Sequence, residues 1–324
     1  MTVEANAKVN FTLEVFGKRT DGYHALRSVV MPISLADTLD VESTDDGSVT
    51  SDTGYDDDLC VKAARILRSS VSGLPSSLGA TIRVTKRIPA GGGLGGGSAD
   101  AAAVLRALNE LWKLGLSREE LAVIGAQVGS DVPALVMGCP VVMEGRGERV
   151  TPIEQSNNPN NRTIHLVLVN PGVHSSTADV YAACEARALE GENATARMVG
   201  ALKAGEVEGI AAALMNDLQG PAVKLHPEIA DALVSLRTAG VVGAMMSGSG
   251  SSAFGIVRDA DEAVRISSDL NARGLQAWPV ELCGPRSKVV CWSWCGVRLQ
   301  PDEAAREIRS HERGNGTQRQ AEIR

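Results

Sequence analysis

Aromatic residues are scarce: Phe, Trp and Tyr together supply 3% of the 324 residues. A core built from this chain must rest on Val, Leu, Ile and Ala, and any Tyr or Phe beside a motif carries more information than usual. Long apolar runs are missing as well, since no stretch reaches the roughly 18 residues that suggest a membrane span. The opening Met1-Thr2-Val3-Glu4-Ala5-Asn6 lacks the basic start and apolar run of a signal peptide. Six cysteines, at positions 60, 139, 184, 283, 291 and 295, are scattered without dense pairing. These absences lead to the expectation of a cytoplasmic chain with free thiols. Positive charge is not in excess either. A formal net charge of −7 gives no general field for gripping nucleic acid, so an anionic ligand needs local donors such as backbone N–H groups.

What is present fits an ordinary globular protein, with 44% hydrophobic and 22% charged residues. The length exceeds the size at which single cores stop growing, so two domains are expected. Ala7, Val9, Phe11, Leu13 and Val15 alternate with Lys8, Asn10, Thr12 and Glu14. That alternation predicts a strand with Lys8 and Asn10 on one face. Gly17 to Gly22 forms a turn and Ala25 to Ile33 resumes an extended pattern, so residues 7–33 read as two strands joined by a loop carrying Tyr23 and His24. A helix is predicted over 59–69 and a strand over Thr81 to Ile88. Behind the glycines that follow, Val104, Leu105, Leu108, Leu111 and Trp112 recur at helical spacing, with Ser98 as N-cap and Gly115 as stop. Ser117 and Glu120 carry the capping-box signature of a second helix ending near Gly129, with Asp131 just beyond it.

The polar segment Ser156 to Asn161 marks a domain boundary, dividing the chain into 1–157 and 158–284. Past it the pattern gives a strand at 164–169, helices near 178–190, 194–203, 207–215 and 227–239, and apolar segments at 241–246 and 253–257. The last two flank Ser247-Gly248-Ser249-Gly250-Ser251-Ser252. Residues 285–324 form an unassigned charged tail. Cys291 and Cys295 have no second matched pair, so no metal site is expected there.

The chemistry is concentrated in Pro89-Ala90-Gly91-Gly92-Gly93-Leu94-Gly95-Gly96-Gly97-Ser98-Ala99, set between a strand and a helix. Glycine lets backbone N–H groups approach a phosphate closely, and the helix start behind the loop favours anions. A flexible linker is the plain alternative, but linkers are not usually pinned between a strand and an amphipathic helix. No Gly-Lys-Ser/Thr closes the run, so it is not a Walker A loop. Gly91, Gly93 and Gly96 do satisfy the dinucleotide spacing. A run of glycines satisfies it trivially, however, and the acidic residues about 20 positions on, Glu119 and Glu120, sit at a helix start.

Several ordered motifs together resemble the galactose, homoserine, mevalonate and phosphomevalonate (GHMP) kinases: Ala7 to Asn10, Gly17 to His24, the expanded glycine loop, Gly129-Ser130-Asp131-Val132-Pro133, and Ser247 to Gly255. The likeness covers about residues 4 to 284 and is greatest to the branch whose acceptor alcohol is a cytidylyl-methylerythritol. It implies an α+β fold of two lobes, the N-terminal one like ribosomal protein S5 domain 2 and the C-terminal one ferredoxin-like. It implies MgATP as phosphate donor, with Pro89 to Ala99 on the nucleotide. Lys86, just before the loop, is placed either to reach the nucleotide or to face solvent at the strand end, and Ser98 either to ligate Mg²⁺ or a phosphate oxygen or to serve only as the helix cap. Lys8 and Asp131 would be the catalytic pair, the carboxylate accepting the alcohol's proton and the ammonium stabilising developing charge. Asn10, Tyr23, His24, Thr177 and Tyr181 would hold the acceptor, the aromatic rings stacking on its base. Taken singly, a strand lysine usually faces solvent and an Asp before Val-Pro is commonly a turn residue. A different superfamily kinase, an NAD-dependent oxidoreductase and a silent nucleotide-binding protein stay open at this level.

Overall fold

The structure, a computed structural model, describes residues 1–20, 22–154, 163–186 and 193–283. Its strands in chain order are β1 (Thr2–Lys18), β2 (His24–Thr44), β3 (Val49–Ser51), β4 (Gly79–Thr85), β5 (Val141–Gly145), β6 (Arg149–Pro152), β7 (His165–Asn170), β8 (Met215–Asn216), β9 (Gly243–Met246), β10 (Ala253–Val257) and β11 (Gln276–Glu281). Its helices are α1 (Leu59–Ser70), α2 (Gly96–Leu111), α3 (Arg118–Gly125), α4 (Val132–Met137), α5 (Thr177–Ala182), α6 (Ala194–Ala204), α7 (Val207–Ala212), α8 (Gln219–Leu225), α9 (Glu228–Thr238) and α10 (Ala260–Ala272). Among the described residues no helix is long and apolar enough to cross a membrane.

The strands form two sheets. One runs β3-β4-β2-β1-β8, with β5 added beside β2 and β6 beside β5. The other runs β11-β7-β10-β9, all antiparallel. Numbered within its own four strands, this second order is the ferredoxin-like one, with α10 crossing between β10 and β11. The mixed α+β architecture matches the expectation. Phe11 of β1 stacks on Phe254 of β10 with ring centroids 5.5 Å apart, joining the two sheets through fully buried rings. Each such ring contributes about 1.5–3 kcal/mol by leaving water. A second link is covalently remote. Residues Met215–Asn216 lie parallel to Thr12–Leu13, so late chain forms the edge of the early sheet.

Hydrophobic alternation accounts for β1 only as far as Asn10. Lys8 pairs with Pro32, Val9 with Met31 and Asn10 with Val30, but Thr12 pairs with Val29, so Phe11 is an inserted bulge residue. The regular part keeps Lys8 and Asn10 on one face, as the pattern required. Several predicted boundaries move. The strand read over 81–88 ends at Thr85, and the second helix ends at Gly125 instead of near Gly129. The helix expected at 207–215 ends at Ala212, leaving Met215 to a strand. The helix expected at 178–190 ends at Ala182, and its last positions lie outside the described residues. The boundary segment 156–161, the tail 285–324 and Cys291 and Cys295 also lie outside them. The other four cysteines are free thiols.

Candidate active site

Lys8 sits at the centre of the site because β1 is buried there on both faces. Only 3% of it is exposed. A buried ammonium is costly without partners, and here Nζ donates to Asn10 Oδ1 at 2.7 Å and lies 3.5 Å from Asp131 Oδ2. Asn10 passes the chain of contacts on by donating from Nδ2 to Ser28 Oγ at 2.8 Å. Asp131 occupies the N-cap position of α4, yet its side chain makes no capping bond. Its carboxylate is partly open to solvent and faces the ammonium instead of serving the helix.

The glycine loop stands against this pair. Lys8 N–H donates to Leu94 O at 3.0 Å. A Cβ at Gly95 would lie 3.2 Å from Lys8 Cε and 3.5 Å from Asp131 Oδ2, so the loop backbone touches both residues. Gly91, Gly93 and Gly95 take φ of +64°, +72° and +70°, a region that favours glycine. Gly95, not Ser98, caps α2; the left-handed turn at Gly95 starts the helix early and puts Ser98 in its first turn, which corrects the predicted cap. The hydrogen bonding is polarised. The carbonyls of Gly92, Gly93, Leu94 and Gly95 all accept from the protein. Among the described residues, no backbone N–H from Gly91 to Ser98 has a protein acceptor. Acceptors turned inward and donors left over at a helix start make an anion cradle, which fits a nucleotide's phosphates.

Ser247 to Ser252 braces that cradle. Ser252 N–H donates to Gly92 O at 3.1 Å and Ser247 Oγ to Gly93 O at 3.1 Å. A Cβ at Gly93 would collide with Ser247 O and lie 2.8 Å from Gly250 O. Gly248 approaches Lys8 as well, with a Cβ there 3.2 Å from Lys8 Nζ. Three further groups hold the brace: Asn216 Nδ2 donates to Met246 O and Gly248 O at 2.9 Å each, Ser175 Oγ donates to Ser249 O at 2.8 Å, and Thr177 Oγ1 bonds Ser249 Oγ at 2.9 Å. Asn170 Nδ2 reaches Ser252 Oγ at 3.0 Å. Sequence reasoning included Thr177 but missed Asn170, Ser175 and Asn216. The Asn216-Asp217 pair, interrupting apolar Leu214, Met215 and Leu218, was the one available signal for the last.

The aromatic residues gather beside the pair. His24 and Tyr181 stack with centroids 5.5 Å apart and planes 29° apart, so these two rings, distant in sequence, touch. Burial raises the Tyr181 hydroxyl's pKa, with Asp131 and Cys184 adding to the rise. Tyr23 is half exposed, with the Arg146 guanidinium 5.3 Å from its ring centroid. Lys86 lies under the start of α2, where Nζ donates to Asp37 Oδ2 and, at 2.7 Å, to Asp100 Oδ2. Asp37 also accepts from the N–H groups of Arg87 and Ile88, which pins the chain leading to Pro89. Two carboxylates thus share one lysine. Asp100 Oδ1 is buried with no partner, and burial, opposed by Lys86 and reinforced by Asp37, pushes the Asp100 carboxyl up to about 7.

The model of the GHMP kinases N terminal domain matches residues 58–139, and that of the GHMP kinases C terminal matches residues 198–276. A 4-diphosphocytidyl-2-C-methyl-D-erythritol kinase of Symbiobacterium thermophilum is 39% identical over 286 residues, spanning 86% of this chain and 99% of the relative. The chain belongs to the GHMP kinases. The corresponding enzyme of Pelotomaculum thermopropionicum is 41% identical over 275 residues, covering 83% of this chain and 93% of its own. A crystal structure of 4-(cytidine 5'-diphospho)-2C-methyl-D-erythritol kinase superposes with a TM-score of 0.73 at 35% identity, covering 88% of this chain and all of that one. As a GHMP small-molecule kinase, the protein uses ATP. The stretch from Asp58 to Cys139 that carries the N-terminal family signal includes the whole cradle and Asp131, whereas Lys8, Tyr23 and His24 precede it and Tyr181 follows it.

Proposed function

We propose that this kinase moves the γ-phosphate of ATP to the 2-hydroxyl of 4-diphosphocytidyl-2-C-methyl-D-erythritol, a step of non-mevalonate isoprenoid precursor synthesis. One observation carries the reading: a loop whose N–H groups from Gly91 to Ser98 have no acceptor among the described residues lies in direct contact with a buried lysine and a carboxylate that makes no capping bond. The cradle from Pro89 to Ala99 holds the phosphates. Asp131 accepts the proton of the acceptor hydroxyl as that oxygen bonds to phosphorus and the bond to ADP breaks. Lys8, kept in place by Asn10, stabilises the negative charge that builds on the transferring group. His24, Tyr181 and Tyr23 offer the base a stacking surface worth about 1–3 kcal/mol, and Thr177 lines the same side through its tie to Ser249.

Mg²⁺ belongs to this reading as the ion that accompanies ATP and neutralises phosphate charge. Among the described residues no group of three or more His, Cys, Asp or Glu is placed to hold a metal alone. Such an ion is held largely by phosphates and water, and the Ser98 hydroxyl in the first turn of α2 is a candidate ligand from this chain. Lys86, engaged by Asp37 and Asp100, acts by fixing the loop's approach and is close to it, since a Cβ at Gly96 would lie 3.5 Å from Nζ. The division into an ATP-binding part over 1–157 and a second part over 158–284 is likewise a proposal. It is supported by the two sheets and qualified by β8, which belongs by position to the second part and by pairing to the first.

The test is turnover. The purified chain with MgATP should phosphorylate the cytidylyl acceptor and leave mevalonate and homoserine untouched, and Asp131→Asn should lower kcat by about 10²–10⁴ while ligand binding persists. ATP consumption with mevalonate or homoserine, and indifference to the cytidylyl alcohol, would reject the acceptor.

A further inference from the structure

Strands β1 and β2 carry buried polar side chains that extend well past the catalytic pair. Asn10 pairs with Val30 and so shares a sheet face with Ser28, two residues along β2. The bulge at Phe11 turns Thr12, which pairs with Val29, to the opposite face. Two branches of hydrogen bonds meet at Thr12 in consequence. On one face Asn10 Nδ2 donates to Ser28 Oγ at 2.8 Å, and Ser28 Oγ donates to Thr12 O. On the other, Thr12 Oγ1 accepts from the Val29 N–H at 2.9 Å and lies 3.0 Å from Thr195 Oγ1, which donates to Glu14 Oε2 at 2.8 Å. Ser28, Thr12, Thr195 and Glu14 are all buried, so each bond left unmade there carries the desolvation cost of its polar group.

Counting protons fixes the direction of the first branch. A serine hydroxyl has one proton to give, and Ser28 gives it to Thr12 O. Toward Asn10 it can then only accept, which engages the Nδ2 end of the amide. The Oδ1 end is left to the Lys8 ammonium, 2.7 Å away, which in turn faces Asp131. Ser28 has no exposed surface, so it reaches the reaction only through Asn10. Resting on the role given to Lys8 above, we infer that Ser28 is a positioning residue for phosphoryl transfer: its hydroxyl, committed to the carbonyl beside the β1 bulge, orients the Asn10 amide and through it holds the Lys8 ammonium on the transferring phosphate. The second branch has a different task. Glu14 also accepts from the N–H groups of Ala194 and Thr195, so that branch fastens the start of α6 to β1.

Steady-state kinetics of the full chain with MgATP and the cytidylyl acceptor, run beside thermal unfolding, separates positioning from support. Ser28→Ala should lower kcat about ten- to a hundredfold, the scale on which a misplaced reacting group slows a step. KM for ATP and for the acceptor should stay within about twofold of wild type, as for an interaction that matters only in the transition state. Ser28→Cys, similar in size and with a weak S–H donor, should recover part of the lost kcat. Thr195→Val cuts the other branch at the same threonine; Tm should fall much as in Ser28→Ala, while kcat stays within about twofold of wild type. Unchanged kcat in Ser28→Ala would leave the hydroxyl a structural role only and overturn the inference. An equal loss of kcat in Thr195→Val would overturn it too, because any breach of the network would then suffice, and so would a loss confined to KM for the acceptor. Wild-type turnover of mevalonate or homoserine in place of the cytidylyl alcohol would reject the acceptor alone, and the same variants then decide the role of Ser28 on that alcohol.

Discussion

The molecule has two glycine-rich loops of similar composition and opposite use. The first gives the carbonyls of Gly92 to Gly95 to the protein, while its N–H groups from Gly91 to Gly97 have no acceptor among the described residues. Ser247 to Ser252 spends its polar atoms on the protein: its four serines are nearly or fully buried, and their hydroxyls bond Gly93 O, Val173 O, Thr177 and Asn170. Glycine content therefore says only that backbone comes close to something. Whether that something is a phosphate or another loop depends on which half of each peptide unit remains unpaired. The strand–loop–helix context of the first loop leaves donors over, while the strand–loop–strand context of the second does not.

The joint between the loops is where the comparison breaks most severely. Gly93→Ala places a Cβ against Ser247 O at a φ suited to glycine. It should lower kcat/KM at least about a hundredfold, the scale of an ångström-sized displacement of reacting groups, in a steady-state assay. Asn216→Ala removes the two bonds that hold Met246 O and Gly248 O. The brace should loosen at a cost of about 1–3 kcal/mol, read as a lower denaturation midpoint together with weaker ATP turnover.

A matched pair sharpens the contrast with smaller effects. Gly97→Ala meets only Leu59 Cδ1 at 3.5 Å, so Tm should hold or rise, while the added methyl crowds the phosphates and raises KM for ATP. Ser247→Ala should do the reverse, lowering Tm by about 2–4 °C for each kcal/mol of lost hydrogen bonding with a lesser change in KM. If both variants move the same observable, the two loops do not divide the work as described.

The smallest expected effect is a pH dependence at the base of the cradle. Asp100 has its carboxyl raised to about 7 in the folded protein, chiefly by burial. A raised carboxyl contributes stability that is fully present below its unfolded value of about 3.9 and is lost as pH climbs through about 7. Asp100→Asn stays neutral throughout, so its Tm relative to wild type should rise by a few degrees between acid and neutral pH. A constant difference across that window would show that Asp100 is ionised in the fold as it is in the unfolded chain.

Much of this was legible in the sequence because the signals were local. Six glycines between an alternating segment and a helical one announce a cradle, and the Ser117–Glu120 capping box is present as read. Helices α4 and α8 were overlooked because each carries a proline, Pro133 and Pro221, which reads as a breaker but is tolerated in a first turn. The Ser98 cap misled for a related reason: a left-handed glycine can start a helix with no side chain involved. Asn216 showed only as a polar break, and Asn170 and Arg146 not at all. Their partners at Gly248, Ser252 and Tyr23 lie 32 to 123 residues away, and no period or spacing encodes such meetings.

The two-residue strand at Met215–Asn216 ties the timing of assembly to activity. Nascent chain up to residue 157 holds Lys8, the cradle and Asp131 but not the edge that closes β1 nor the asparagine that fastens the brace. Competence must then arrive late in synthesis and vanish early in unfolding, so that loss of phosphorylation during denaturation should report the second sheet coming away before the first has melted.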